Sequence, residues 1–212
     1  MLGRFSEIWV PDVAGHPNLS GKLGHPEKLP ANTYHVGCLS QLANAKTKQE
    51  EDGSLLVLLS GVEPQRSILS KQLWREVCAY NGKVVFVEGR ADAASPGTIP
   101  SHITYLKQIT KNDLLPILQK ASLVMARSGY STIMDLALLN KKAILIPTPG
   151  QTEQEYLGMH LRKQGVFYCT SQKGFKLEST LKEIEAFPFS RLQMQGSHCQ
   201  YQSVIDRWLS SL

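Results

Sequence analysis

The sequence predicts an α/β protein built on a doubly wound, mostly parallel sheet. Two observations carry that expectation. From residue 54 onward, short unbroken apolar runs alternate with helix-length segments, as in βα units covered on both faces. The turns after those runs are rich in Gly, Pro, Ser, Thr and carboxylates, and in open sheets of this kind ligands bind beyond the carboxyl ends of the strands.

FSEIWV at 5–10 reads as a short strand stopped by Pro11. A loop rich in Gly, Pro, His and Lys follows to about residue 31, repeating Gly-His-Pro at 15–17 and 24–26. NTYHVGCL at 32–39 reads as another strand, and the polar ANAKTKQEEDG at 43–53 as a solvated linker. SLLVLLS (54–60) is a buried strand, after which Pro64 suits the first turn of a helix reaching about residue 80. KVVFVEG (83–89) and HITYLK (102–107) are the next strands, separated by a loop containing ADAASPGTIP. Thr110 or Asn112 then caps a helix through 120. SLVMA (122–126), KAILIP (142–147) and GVFYC (165–169) complete the strands, with helices at about 131–140 and 152–164. Amphipathic helical segments near 176–186 and 198–211 close the chain. A lone leading strand with a long connection leads one to expect that residues 1–50 are the remnant of a preceding domain plus its linker, and that 51–212 form the doubly wound domain with a C-terminal helix.

Composition narrows the function classes. The 212 residues are 42% hydrophobic and 19% charged, ordinary values for a soluble globular protein. The net charge of +5 suits an anionic ligand or an acidic membrane surface, yet no Lys/Arg cluster marks a nucleic-acid binder. Cys38, Cys78, Cys169 and Cys199 form no CxxC pair, which disfavours a zinc site or a disulfide framework. His16, His25 and His35 lie in loops without Cys, Asp or Glu at ligand spacing, so no metal site is expected. No apolar run approaches membrane-spanning length, which leaves peripheral membrane attachment open.

The chemistry concentrates in ARSGYSTIMD, 126–135, where a strand hands over to a helix through hydrogen-bonding residues. Gly129 permits a positive φ or the close approach of a ligand. The free N–H groups and dipole of the following helix favour an anion, and Ser128, Ser131 and Thr132 add hydroxyl donors. The plainer reading makes Thr132-x-x-Asp135 a capping-box variant and Gly129 a turn. Asp135 lies off the apolar face of that helix and suits the hydroxyls of a ribose, although a surface carboxylate favoured by the dipole would look the same. In PTPGQTEQEY, 147–156, Glu153 and Gln154 offer sugar-reading groups at a strand end, or merely the acidic enrichment of a first helical turn. SGVEPQR, 60–66, lacks both GxGxxG and GK[ST], which disfavours a dinucleotide oxidoreductase or a P-loop ATPase. Ser60 and Gly61 remain candidates to approach a phosphate, and Arg66 reads as a solvated charge. No GxSxG elbow supports a Ser/His/Asp hydrolase.

The segment ARSGYSTIMDLALLNKKAILIPTPGQTEQEYLG, 126–158, resembles the carboxyl-terminal, donor-binding half of GT-B glycosyltransferases. It is most similar to family 28, the group with the MurG-type transferases, and the likeness extends more loosely over 54 to about 170. The resemblance implies that Ser128, Gly129, Ser131 and Thr132 surround the donor pyrophosphate and that Arg127 belongs to the donor site, with Asp135 on the ribose and Glu153 and Gln154 on the donor sugar. It further implies that the backbone at Leu106 meets the nucleobase, usually uracil, and that Ser60 and Gly61 stand near the phosphates. The family often has glutamate where Asp135 stands, and its glycine-rich loop after the first strand is here only SGVEPQR.

The expected function is therefore a donor-binding domain for a hexose-type transfer from a nucleotide sugar, UDP-linked, to an acceptor hydroxyl. Inversion and independence of metal or other cofactor go with that resemblance. The acceptor, lipid-linked or glycan, and the catalytic base would belong to an amino-terminal domain outside this chain, leaving the fragment alone inactive. A cytoplasmic location, peripheral at the inner face of a membrane, is implied as well. A nucleotide-sugar 2-epimerase domain and a non-catalytic GT-B-like binding module are the alternatives.

Overall fold

The computed structural model describes residues 5–40, 42, 50–192 and 200–210. Its centre is a six-stranded sheet of β3 (Leu55–Leu58), β4 (Val84–Val87), β5 (Ile103–Leu106), β6 (Leu123–Ala126), β7 (Ala143–Leu145) and β8 (Tyr168–Cys169). The strand order is β5-β4-β3-β6-β7-β8 and every pair is parallel, so the expected doubly wound sheet is present. Alternating side chains point to opposite faces, so a strand buried on both sides must be apolar throughout. Leu55, Val57, Phe86, Met125 and Ile144 face α1 (Gln65–Cys78) and α5 (Leu177–Ile184). Leu56, Val87, Val124, Ala126 and Leu145 face the layer of α2 (Lys111–Lys120), α3 (Tyr130–Leu138) and α4 (Thr152–Lys163).

Most expected elements are present, with ends trimmed. Thr110 is the N-cap of α2, its hydroxyl accepting from the Asp113 N–H at 3.4 Å. The expected strand at 165–169 shrinks to two residues because its first part closes α4 instead. Gly165 takes φ +70, its N–H reaches Arg162 O, and the Val166 N–H reaches Leu161 O, the paired bonds of a Schellman end. The connection from β4 to β5, residues 88–102, contains no helix.

The amino-terminal segment is more ordered than a Gly/Pro loop suggests. β1 (Ile8–Val10) and β2 (Thr33–His35) form a separate parallel ribbon. Between them Asp12 is fully buried, and its carboxylate accepts from the N–H groups of Val13, Leu19 and Ser20. His16, His25 and His35 stack beside it, with His25 Nε2 3.6 Å from Asp12. The segment is fastened to the α3–α4 layer: Tyr130 donates to Pro11 O at 2.9 Å, and the Lys22 N–H donates to the Tyr156 hydroxyl at 2.7 Å.

The last helix, α6 (Gln200–Leu209), was grouped by sequence with the large sheet, and the structure sets it on the ribbon. Arg207 pairs with Glu7 at 2.9 Å and lies 3.5 Å above the Tyr34 ring, while Trp208 meets Trp9 edge to face. Residues 198 and 199 of the expected helix, and 43–49 of the expected linker, lie outside the described residues.

Candidate nucleotide site

Strand order and register define where a site can form. Leu58 is level with both Val87 and Ala126, and Ala126 with Leu145, so the loops after β3, β4, β6 and β7 leave one edge of the sheet together. From β3 the chain winds outward through β4 to β5, whereas β6 leads the other way to β7 and β8. The switch in direction lies between β3 and β6, where an open α/β sheet has its crevice. Ser60–Gly61 and Arg127–Gly129 flank it.

Gly129 is the N-cap of α3, and no side chain caps that end. The first intrahelical bond runs from the Ile133 N–H to Gly129 O, leaving the N–H groups of Tyr130, Ser131 and Thr132 without intrahelical acceptors. The capping-box reading of Thr132 and Asp135 is thereby corrected, because Thr132 is already inside the helix. Gly129 has φ −69, which any residue adopts, and a Cβ built there meets nothing within 4 Å. Neither backbone strain nor packing asks for glycine, so its effect is to leave the approach to the helix end clear. Gly61, across the crevice, is different: its φ of +102 is a glycine conformation. Ser60 beside it is exposed, as is Ser131, while Thr132 is partly buried.

Arg127 departs from its expected role as a donor contact. It is 2% exposed, and its guanidinium donates to the carbonyls of Ile146, Pro147 and Gln65 at 3.2, 2.9 and 2.9 Å. Burial draws its pKa down to about 10, still protonated at neutral pH. It fixes the ends of β6 and β7 and the start of α1 relative to one another. The Ser128 hydroxyl is likewise engaged, donating to Gln154 O at 2.8 Å from a fully buried position. These two residues position the crevice instead of lining it with free donors.

Asp135 is partly buried and accepts a hydrogen bond from the Ser40 hydroxyl. Burial raises its pKa, opposed by Ser40 and by the nearby Lys111 at the start of α2. The carboxylate thus ties α3 to the segment that precedes β3. The Leu106 carbonyl, expected near a base, is bonded to the Glu88 N–H within the sheet at 2.9 Å. Glu153 is exposed on the first turn of α4 beside a cleft of about 580 Å³ shared with Trp9, Tyr130 and Tyr156. The Gln154 amide accepts from the Thr148 N–H and donates to Gln151, bracing its own loop.

Sequence reasoning missed Tyr130, whose ring is held between the amino-terminal segment and α3 and whose pKa is raised, chiefly by burial. Its place between Gly129 and Ser131 was visible, but its partners lie more than a hundred residues away. Arg66 was also missed: it bonds Glu63 and donates to Gly89 O at 2.8 Å, pinning the β3 and β4 loops together, and is no free surface charge.

These features are those of an open, doubly wound α/β domain with an uncapped helix end at the switch of strand order. Residues 75–206 match the model of the glycosyltransferase family 28 C-terminal domain, more than half of the chain, and the chain belongs to that family. A relative from Gloeothece citriformis, named UDP-N-acetylglucosamine–N-acetylmuramyl-(pentapeptide) pyrophosphoryl-undecaprenol N-acetylglucosamine transferase, is 32% identical over 133 residues. That match covers 58% of this chain and 35% of the relative. The protein of the same name from Methylobacterium sp. is 39% identical over 102 residues, 47% of this chain and 25% of its own length. The chain therefore spans about a third or less of these two relatives. Among solved structures, Acinetobacter baumannii MurG aligns with TM-score 0.56 at 13% identity, covering 88% of this chain and 58% of that one. The glycosyltransferase SnogD from Streptomyces nogalater aligns at 0.61 and 13%, covering 87% and 53%. At such identities the structural likeness concerns the fold.

Proposed function

We propose that this chain binds the nucleotide-sugar donor, UDP-linked, of an inverting and metal-independent glycosyltransferase. The observation that carries the reading is the α3 N-terminus: three N–H groups without intrahelical acceptors, at the switch point, behind a glycine that geometry does not require. The relatives' printed name includes UDP-N-acetylglucosamine, which supports UDP over other nucleotides.

In the transfer, the acceptor oxygen forms a bond to the anomeric carbon as the bond from that carbon to the diphosphate oxygen breaks. The electron pair leaves with the nucleoside diphosphate, and the α3 amides and dipole stabilise the charge that develops there. Asp135 faces the ribose side and has acceptor capacity beyond its one bond from Ser40. Glu153 reads donor-sugar hydroxyls from the first turn of α4. The acceptor proton goes to a base that none of these residues supplies. Acceptor binding and that base belong to an amino-terminal domain. The acceptor is lipid-linked, and the enzyme works at the cytoplasmic face of a membrane as a peripheral protein. Among the described residues no helix is long and apolar enough to cross a bilayer.

One observation favours a second reading, a non-catalytic module of the same fold. Asp135 and Gln154 both have hydrogen-bond partners within the protein. Calorimetric titration with UDP, GDP, dTDP and ADP in the presence of a chelator separates the two. Selective UDP binding supports the donor site. Absence of binding to any nucleotide, here and in a form joined to an amino-terminal domain, favours the module.

A further inference from the structure

We propose that the chain carries a second ligand site, a cavity of about 730 Å³ on the α1 side of the sheet, for a saccharide unit bearing an acidic group. None of the lining residues belongs to the crevice at Ser60–Gly61 and Arg127–Gly129. Parallel neighbours such as β4 and β5 are ordinarily joined by a crossover helix that covers the sheet face. Here residues 88–102 make the crossing without one. The edge of that face is left to Trp74 of α1, which packs edge-on against Phe86 at 5.2 Å and Tyr105 at 5.5 Å. The remaining space has the size of a small-molecule pocket.

Its chemistry is specific. Glu88, 8% exposed, contributes a carboxylate to the lining. The Ser70 hydroxyl donates to that carboxylate at 2.7 Å, and the partly buried Tyr105 lines the same cavity. The Ser70 bond orients the carboxyl group and leaves acceptor capacity for ligand hydroxyls. Trp74 and Tyr105 are only partly buried and offer ring surface to the C–H face of a sugar. Lys71 and Arg75 stand exposed on α1, four residues apart, and neither forms an ion pair with a described residue. Like charges at that spacing repel, and a bound anion relieves the repulsion. The ligand therefore turns its hydroxyls toward Glu88 and its acidic group toward Lys71 and Arg75.

The test is saturation-transfer NMR with glucuronic acid, using glucose and inorganic phosphate as separate probes and UDP affinity measured in parallel. Saturable glucuronic acid binding is expected, about tenfold or more tighter than glucose or phosphate. Lys71→Glu with Arg75→Glu, both exposed, should weaken it by about tenfold or more, as should Glu88→Gln, with UDP affinity and thermal midpoint unchanged in the lysine–arginine variant. No saturable binding overturns the proposal. So does phosphate binding as tightly as glucuronic acid, displacement of glucuronic acid by UDP, or indifference to the surface variant.

Discussion

Asp135 shows how one side chain serves stability and binding with opposite signs. Burial raises its folded pKa above the ordinary 3.8, so whatever relative stability it contributes is fully present below 3.8 and is lost as pH rises through the folded value. Asp135→Asn keeps an acceptor for Ser40 and removes the charge. Urea denaturation should find it more stable than the parent at neutral pH, the gap closing in acid; a gap that widens in acid contradicts the burial argument. The binding effect runs the other way: Asp135→Ala should weaken UDP by about 1–3 kcal/mol, through hydrogen bonds to a charged group. Unchanged affinity removes Asp135 from the site. The residue was legible in sequence as a polar position off an apolar helix face. Its bond to Ser40 was not, because nothing local links positions 40 and 135.

At the scale of elements, Arg127 holds the strand-end loops in register. Arg127→Met leaves carbonyls of Gln65, Ile146 and Pro147 without their donor and should cost about 2–4 kcal/mol in denaturant titration. UDP affinity should fall with it, because the crevice is built from those loops. A stable variant with lost binding would instead place Arg127 on the ligand. The strands were legible because burial on both faces demands unbroken apolar runs, here four to seven residues long and bounded by turn residues, too short for buried helices. The loop at 11–31 was legible as a loop, but its order was not, for the converse reason. Its order comes from the Asp12 carboxylate and from contacts with α3 and α4, none of which is periodic. The short β8 was misread because Gly165, a visible helix-end signal, was given to a strand.

At the scale of the molecule, α6 is bound to the β1–β2 ribbon and not to the large sheet. Its amphipathic pattern announced a covered face but not the surface that covers it. Arg207→Ala removes both the Glu7 pair and the contact with Tyr34, at a cost of about 1 kcal/mol. Hydrogen exchange should accelerate at residues 8–10 and 33–35 while β3 to β7 keep their protection. Equal acceleration throughout would mean that ribbon and sheet open as one unit. The same separation explains why the family resemblance was readable from 126–158, and more loosely over 54 to about 170, within the large sheet, whereas the ribbon packs against α6 from the far end of the chain.

On the proposed function, Gly129 keeps the end of α3 open for a pyrophosphate. That role is tested most directly by titrating UDP, without metal, into the protein and into Gly129→Val. At φ −69 and with nothing within 4 Å of a Cβ, valine should leave stability within about 1 kcal/mol. The parent should bind UDP, and this stable variant should lose most of the affinity. Equal UDP affinity in a folded Gly129→Val protein would contradict it, and would leave the uncapped helix end as a turn with no ligand.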